Sequence, residues 1–175
     1  WLAGIEEVSD KLPEWQPELT VFVDCGSVDR VSEDFKPAGT ILNIDHHLSN
    51  KQFGDYNYID IEACAVGEQV EAVLRELNAE MTKEMASAIY LSIMTDTGSF
   101  RYSNTTPGAF ALASRLVQKG ADPGSISQYI YESRRPEEMK LIGRVYTSVK
   151  LELNNTMSWA ELRQADYEGM EDQES

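Results

Sequence analysis

The residues most able to do chemistry here are Asp24, the run Asp45-His46-His47, and Asp96. The chain has only two histidines, and they stand side by side between an aspartate and a polar loop. Hard divalent cations take carboxylate oxygens, while imidazole suits manganese, iron or zinc. A histidine among several aspartates, rather than a set of thiolates, points to Mn2+ over Zn2+ or Ca2+. In a two-ion centre about 3.5–4 Å across, one carboxylate bridges both ions and the pair activates the water between them. Thr95 and Thr97 flank Asp96 and are expected to hydrogen-bond the carboxylates as outer partners. Each cluster alone is weak. An Asp at a strand end is most often a turn residue or a cap, paired histidines are commonly surface features, and Thr-Asp-Thr-Gly suits any helix terminus. Their weight comes from standing together, in order, at matched structural positions.

Those positions are set by the elements around them. Residues 19–24 read LTVFVD and residues 40–45 read TILNID, nearly continuous apolar runs that suit strands of a parallel sheet covered on both faces. A third strand is expected near residues 58–61. In an open parallel sheet ligands collect at the carboxyl ends of the strands, which sets Asp24 and Asp45 on one crevice. Val66, Val70, Val73, Leu74 and Leu77 recur at helical spacing, with Asn78 as the stop. A second helix opens at Thr82, and Met85, Ala86, Ile89, Ile93 and Met94 trace its buried side. The polar run 95–104 breaks that pattern. A third helix runs from Pro107 to Lys119-Gly120, and Asp122-Pro123 caps a fourth that ends near Glu132. Pro136 begins another through Leu141 and Ile142. Residues 146–153 then alternate, and Asn154-Asn155 makes a hairpin turn into 156–160.

Composition narrows the function. A net charge of −15 argues against gripping long DNA or RNA, because that mode needs a basic stripe to neutralise phosphates. An acidic chain still acts on phosphates when bound metal ions supply the positive charge. Some of the negative charge is solvated helix surface and the acidic tail over 168–174. No run approaches the ~20 apolar residues of a membrane span, and residues 1–10 lack a secretory pattern. Cys25 and Cys64 have no CxxC spacing and read as reduced thiols of a cytoplasmic protein.

At this point the motifs become recognisable. Asn43-Ile44-Asp45-His46-His47 resembles the signature that names the DHH phosphoesterase family. Residues 21–26, VFVDCG, resemble its preceding strand motif, and Thr95-Asp96-Thr97-Gly98 resembles its following one. The longer run TDTGSFRYSNTT over 95–106 looks like the branch of bifunctional oligoribonucleases and 3′,5′-phosphoadenosine phosphate (pAp) phosphatases. Tyr131-Glu132-Ser133 and the helix after Pro136 fit that branch's connector. The likeness covers essentially the whole chain.

The resemblance implies an α/β fold: a parallel-sheet DHH domain with flanking helices over residues 1–133, a connector helix over 134–145, and the start of a small α+β domain over 146–175. It implies two Mn2+ ions bridged by Asp24, with His46 and Asp96 completing one ion's shell. His47 would face the scissile phosphate, Asp45 would orient a neighbouring histidine, and Arg101, Ser103 and Asn104 would hold phosphate or ribose. A surface salt bridge is the rival role for Arg101. The implied substrates are short oligoribonucleotides, giving 5′-mononucleotides, or pAp, giving AMP. The implied partners include no long DNA and no membrane, and the sequence leaves room for a homodimer without specifying one. Alternatives are a cyclic-dinucleotide or pyrophosphate hydrolase of the same superfamily, and an inactive nucleotide-binding module. A plain interaction domain would leave the three strand-end clusters unexplained.

The sequence also departs from the family. An Asp-x-Asp cluster with an upstream His should precede the Asp24 strand, yet Glu6, Glu7 and Asp10 follow no apolar run. The glycine-rich substrate loop with a third His is absent, and the chain starts at Trp1. It therefore reads as the middle of a longer enzyme, expected to bind Mn2+ weakly and to turn over poorly as it stands.

Overall fold

The computed structural model describes residues 8–9, 15–31 and 35–167. The acidic tail over 168–174 and residues 1–7 and 10 lie outside them. The chain divides into two compact units that meet between Ile126 and Ser127.

The first unit is built on a parallel sheet of β1 (Leu19–Val23), β2 (Thr40–Asp45) and β3 (Tyr56–Ile59), in spatial order β1-β2-β3. Val23 lies opposite Ile44, and Asp45 opposite Ile59, so all three strands end at one edge. β3 begins two residues earlier than the apolar pattern suggests. Its register on β2 runs from Leu42↔Tyr56, and Asp60 has already turned its N–H back to the Asp45 carbonyl at 3.1 Å. Phe22 and Ile44 are buried, whereas Leu19, Val21 and Val23 of β1 are about half exposed. The covering of both faces expected from the apolar runs is thus incomplete at β1, because α1 packs on β2.

Beside the sheet, α1 (Val66–Glu76) packs on β2, α2 (Lys83–Asp96) on α1 and α3 (Pro107–Gln118) on α2, and the short α4 (Pro123–Ser127) follows. Thr82 caps α2 by accepting from the Met85 N–H, and Thr106 caps α3 by accepting from the Ala109 N–H. The core joins Ala86, Ile89, Ile93 and Met94 of α2 to Ala109, Leu112 and Leu116 of α3. Two residues of the expected apolar stripes point outward, Leu77 and Met85. Further, α2 does not stop at the polar run but continues through Asp96. Thr95 makes this possible, since its hydroxyl bonds back to the Leu91 and Ser92 carbonyls at 3.0 Å each.

The second unit opens with a π turn over Gln128–Glu132, followed by α5 (Pro136–Ser148) and an antiparallel hairpin of β4 (Lys150–Glu152) and β5 (Met157–Trp159). α5 extends past residue 142 into the stretch whose alternation suggests a strand. Thr147 and Ser148 sit in that last turn with their hydroxyls bonded back to the Gly143 and Val145 carbonyls. The hairpin turn falls at Asn154-Asn155, where residues 153–155 all have positive φ. No helix among the described residues is long and apolar enough to cross a membrane.

Candidate metal centre

The site forms where β1 and β2 end and α2 stops. Asp24 follows β1 directly and has left the extended region for φ 60°, an uncommon setting for a residue with a side chain. Its N–H still bonds to the Ile44 carbonyl at 2.9 Å, so the strand ladder holds the residue while its backbone turns. His46 Nε2 lies 3.5 Å from Asp24 Oδ1 and 3.5 Å from Asp96 Oδ2. His47 Nδ1 lies 3.5 Å from the same Asp24 oxygen. Ligand atoms of Asp24, His46 and His47 all lie within 4.8 Å of one another.

The spacing is informative. At 3.5 Å the two His46 contacts are longer than good hydrogen bonds, whereas two ligands each about 2.0–2.2 Å from one ion stand roughly 3–3.5 Å apart. His46 Nδ1 lies 3.2 Å from the Ala63 carbonyl. A proton on Nδ1 satisfies that carbonyl and leaves the Nε2 lone pair facing two carboxylates, the arrangement expected of a metal-ligating imidazole. The oxygen and imidazole donors present thus fit a divalent cation of the manganese type.

Asp45 is turned inward and its side chain is fully buried. Its Oδ1 accepts from the His46 N–H at 2.8 Å and the His47 N–H at 3.2 Å, and lies 2.7 Å from His47 Nδ1. Its Oδ2 accepts from Asn50 Nδ2 at 2.5 Å. Burial raises the Asp45 pKa, but the bonds from Asn50, the His47 ring and the two backbone N–H groups together outweigh it and hold the carboxyl below its usual value. Asp96 behaves oppositely. Burial pushes its pKa up, and the Asp24 charge adds to the rise, against the lowering effect of His46 and His47. It also sits in the last turn of α2, where the helix dipole disfavours negative charge. An acid this unsettled is relieved by a cation.

The polar scaffold behind these groups includes residues that the motifs do not single out. Asn50 also donates to the Asn43 side chain at 2.8 Å and to the Cys25 carbonyl at 3.2 Å. Asn43, fully buried, donates to that same carbonyl at 3.0 Å. Gln69 donates from Nε2 to the Asp45 carbonyl at 2.9 Å and the Tyr58 carbonyl at 2.8 Å. Gln69 was detectable, because it falls on the same helical stripe as Val66, Val70 and Val73. Asn50 carried no such signal beyond its place in the loop after His47.

Of the residues assigned to phosphate or ribose, Arg101 and Ser103 are exposed. Arg101 donates from Nε to the Gly98 carbonyl at 2.6 Å. Asn104 turns back to the site's frame, giving its Nδ2 hydrogens to the Cys64 carbonyl at 3.0 Å and the Asp96 carbonyl at 3.1 Å. Thr95 and Thr97 do not bond the carboxylates. Thr97 Oγ1 instead bonds back along its own helix, donating to the Ile93 carbonyl at 2.6 Å, and accepts from the Phe100 N–H at 3.0 Å. Both cysteines are free thiols, and burial together with Glu68 pushes the Cys64 pKa up to about 12, so it is no nucleophile.

No family model matches the chain. A bifunctional oligoribonuclease and PAP phosphatase NrnA of Thermus thermophilus is 31% identical over 158 residues, 90% of this chain and 48% of that protein. The protein of the same name in Bacillus subtilis is 26% identical over 162 residues, 90% of this chain and 51% of its own length. The chain spans about half the length of the curated relatives it matches. The solved structure of an exopolyphosphatase-related protein from Bacteroides fragilis shares the fold, with a TM-score of 0.86 at 23% identity over 96% of this chain and 54% of that one.

Proposed function

We propose that this chain, which belongs among the DHH phosphoesterases of the oligoribonuclease and PAP phosphatase branch, carries the metal centre of a manganese-dependent hydrolase of small nucleotides. Short oligoribonucleotides would give 5′-mononucleotides, and pAp would give AMP. The names of the relatives support those substrates. The observation that carries the reading is the convergence of Asp24, His46, His47 and Asp96 from three separate chain segments, with His46 Nε2 at 3.5 Å from both Asp24 and Asp96.

Asp24, His46 and Asp96 would hold Mn2+. When bound, the ion supplies electrophilic polarisation of a phosphate oxygen. The described residues gather donors for one ion, and a second is proposed to need further groups. His47 is held for a different task. With its Nδ1–H donating to Asp45, the His47 ring has its Nε2 left for the scissile phosphate, and the side chain is 42% exposed. Asp45 keeps that imidazole in one tautomer and one orientation, since a buried carboxylate below its usual pKa stays ionised. Arg101, anchored through Nε on Gly98, keeps its outer guanidinium nitrogens for a phosphate oxygen.

The test is release of phosphate and mononucleotide from pAp and a trinucleotide RNA, with and without Mn2+, beside an Asp96→Ala control. Mn2+-dependent release lost in the control is expected. Release that ignores Mn2+, or release that survives Asp96→Ala, would refute the assignment.

A further inference from the structure

The segment between Asp96 and Asn104 has a shape that holding a metal does not require. Gly98, Ser99 and Phe100 have φ of 54°, 60° and 62°, three consecutive residues in the left-handed region, although only glycine adopts it freely. The turn is fastened at each step. The Ser99 N–H bonds the Met94 carbonyl at 2.7 Å, and the Arg101 and Tyr102 N–H groups share the Thr97 carbonyl at 2.9 and 3.0 Å. The Phe100 ring stacks on Phe110 with centroids 5.2 Å apart, and Asn104 closes the loop onto the Asp96 carbonyl. Such strain persists where the surroundings over-determine it, and such places cluster at functional sites.

What the turn presents is an aromatic ring and a cation seated on one glycine. The Tyr102 ring fills the space a Cβ on residue 98 would occupy, with ring atoms 2.3–2.6 Å from that position. Arg101 is bonded to the carbonyl of the same residue. Yet Tyr102 remains 60% exposed. The ring is braced on Gly98, two residues beyond the centre's Asp96, and is open on its other side.

An enzyme with a net charge of −15 gains little from long-range attraction to phosphates. It needs uncharged contacts to separate nucleotides from other phosphates, and an aromatic face gives one to any base. We propose that Tyr102 is a specificity-determining residue, a platform on which the nucleobase of the substrate stacks beside a phosphate held by Arg101. This rests on the phosphoesterase reading above and adds a base subsite to it.

The experiment is isothermal titration of the full chain, saturated with Mn2+, with AMP and separately with ribose 5-phosphate, which lacks the base. The wild type is expected to bind AMP about tenfold more tightly than ribose 5-phosphate, the scale of one base–aromatic stack. Tyr102→Leu should erase that difference while leaving ribose 5-phosphate and Mn2+ binding unchanged, and Tyr102→Phe and Tyr102→Trp should keep it. Equal binding of the two ligands by the wild type, or AMP binding that Tyr102→Leu leaves intact, overturns the platform alone. A wild type that binds neither ligand overturns the phosphoesterase reading, and the platform with it.

Discussion

Asp45 and Asp96 show how differently two carboxylates of one centre are used. Asp45 is fully buried and accepts from Asn50, from the His47 ring and from two backbone N–H groups. Asp45→Asn sets an NH2 against one of these donor groups and should cost about 2 kcal/mol, read as a lowered midpoint of urea unfolding. Because its pKa is lowered on folding, ionised Asp45 stabilises the chain above the unfolded carboxyl value of about 4. That contribution is lost as pH falls through the lower folded value. Wild-type stability should therefore drop more steeply below pH ~4 than that of Asp45→Asn. For Asp96 the sign reverses, since its pKa is raised. Its contribution is present below the unfolded value and lost as pH rises through the folded one, so ionised Asp96 costs the metal-free chain stability at neutral pH. Asp96→Asn should raise Tm in the presence of a chelator and yet weaken Mn2+ binding by more than the roughly 10–100-fold typical of losing an outer partner. A lowered Tm in chelator would show that Asp96 serves the fold instead.

At the scale of elements, the site depends on ties between chain segments that pair far apart in sequence. Gln69 joins α1 to the ends of β2 and β3. Gln69→Leu strips a donor from two carbonyls and should cost about 2 kcal/mol in chemical unfolding, whereas a surface role would cost almost nothing. β1, β2, the cap at Thr82 and the helix start at Pro107 were legible because their signals are local: apolar runs, a capping side chain and proline. The three motifs carrying Asp24, Asp45-His46-His47 and Asp96 were legible because each lies at an element's end. The length of α2 was not, because Thr95 looks like a breaker until its hydroxyl is seen bonded to its own helix. Nor was the turning of Asn104 toward Asp96, since its partners include Cys64, forty positions away. The Asn43–Asn50–Cys25 network was hidden for the same reason. Periodicity reports which face is buried, and it is silent on which polar groups meet there.

Over the whole molecule, the charge of −15 bears on how ligands arrive. It favours the approach of a cation and opposes that of a nucleotide, and salt screens both effects. Raising ionic strength from ~0.05 to ~0.2 M should weaken Mn2+ affinity and tighten AMP binding to the Mn2+-loaded chain, each by roughly two- to fivefold. Parallel changes in both affinities would mean that local contacts alone decide them. The central claim is that side chains from the ends of β1, β2 and α2 form one cation site. Its most direct test is titration of the full chain with Mn2+ followed by electron paramagnetic resonance, wild type beside His46→Ala. The wild type is expected to bind the ion, with affinity falling at least about tenfold in the variant. Mn2+ binding that His46→Ala leaves unchanged would place the ion elsewhere and contradict the account.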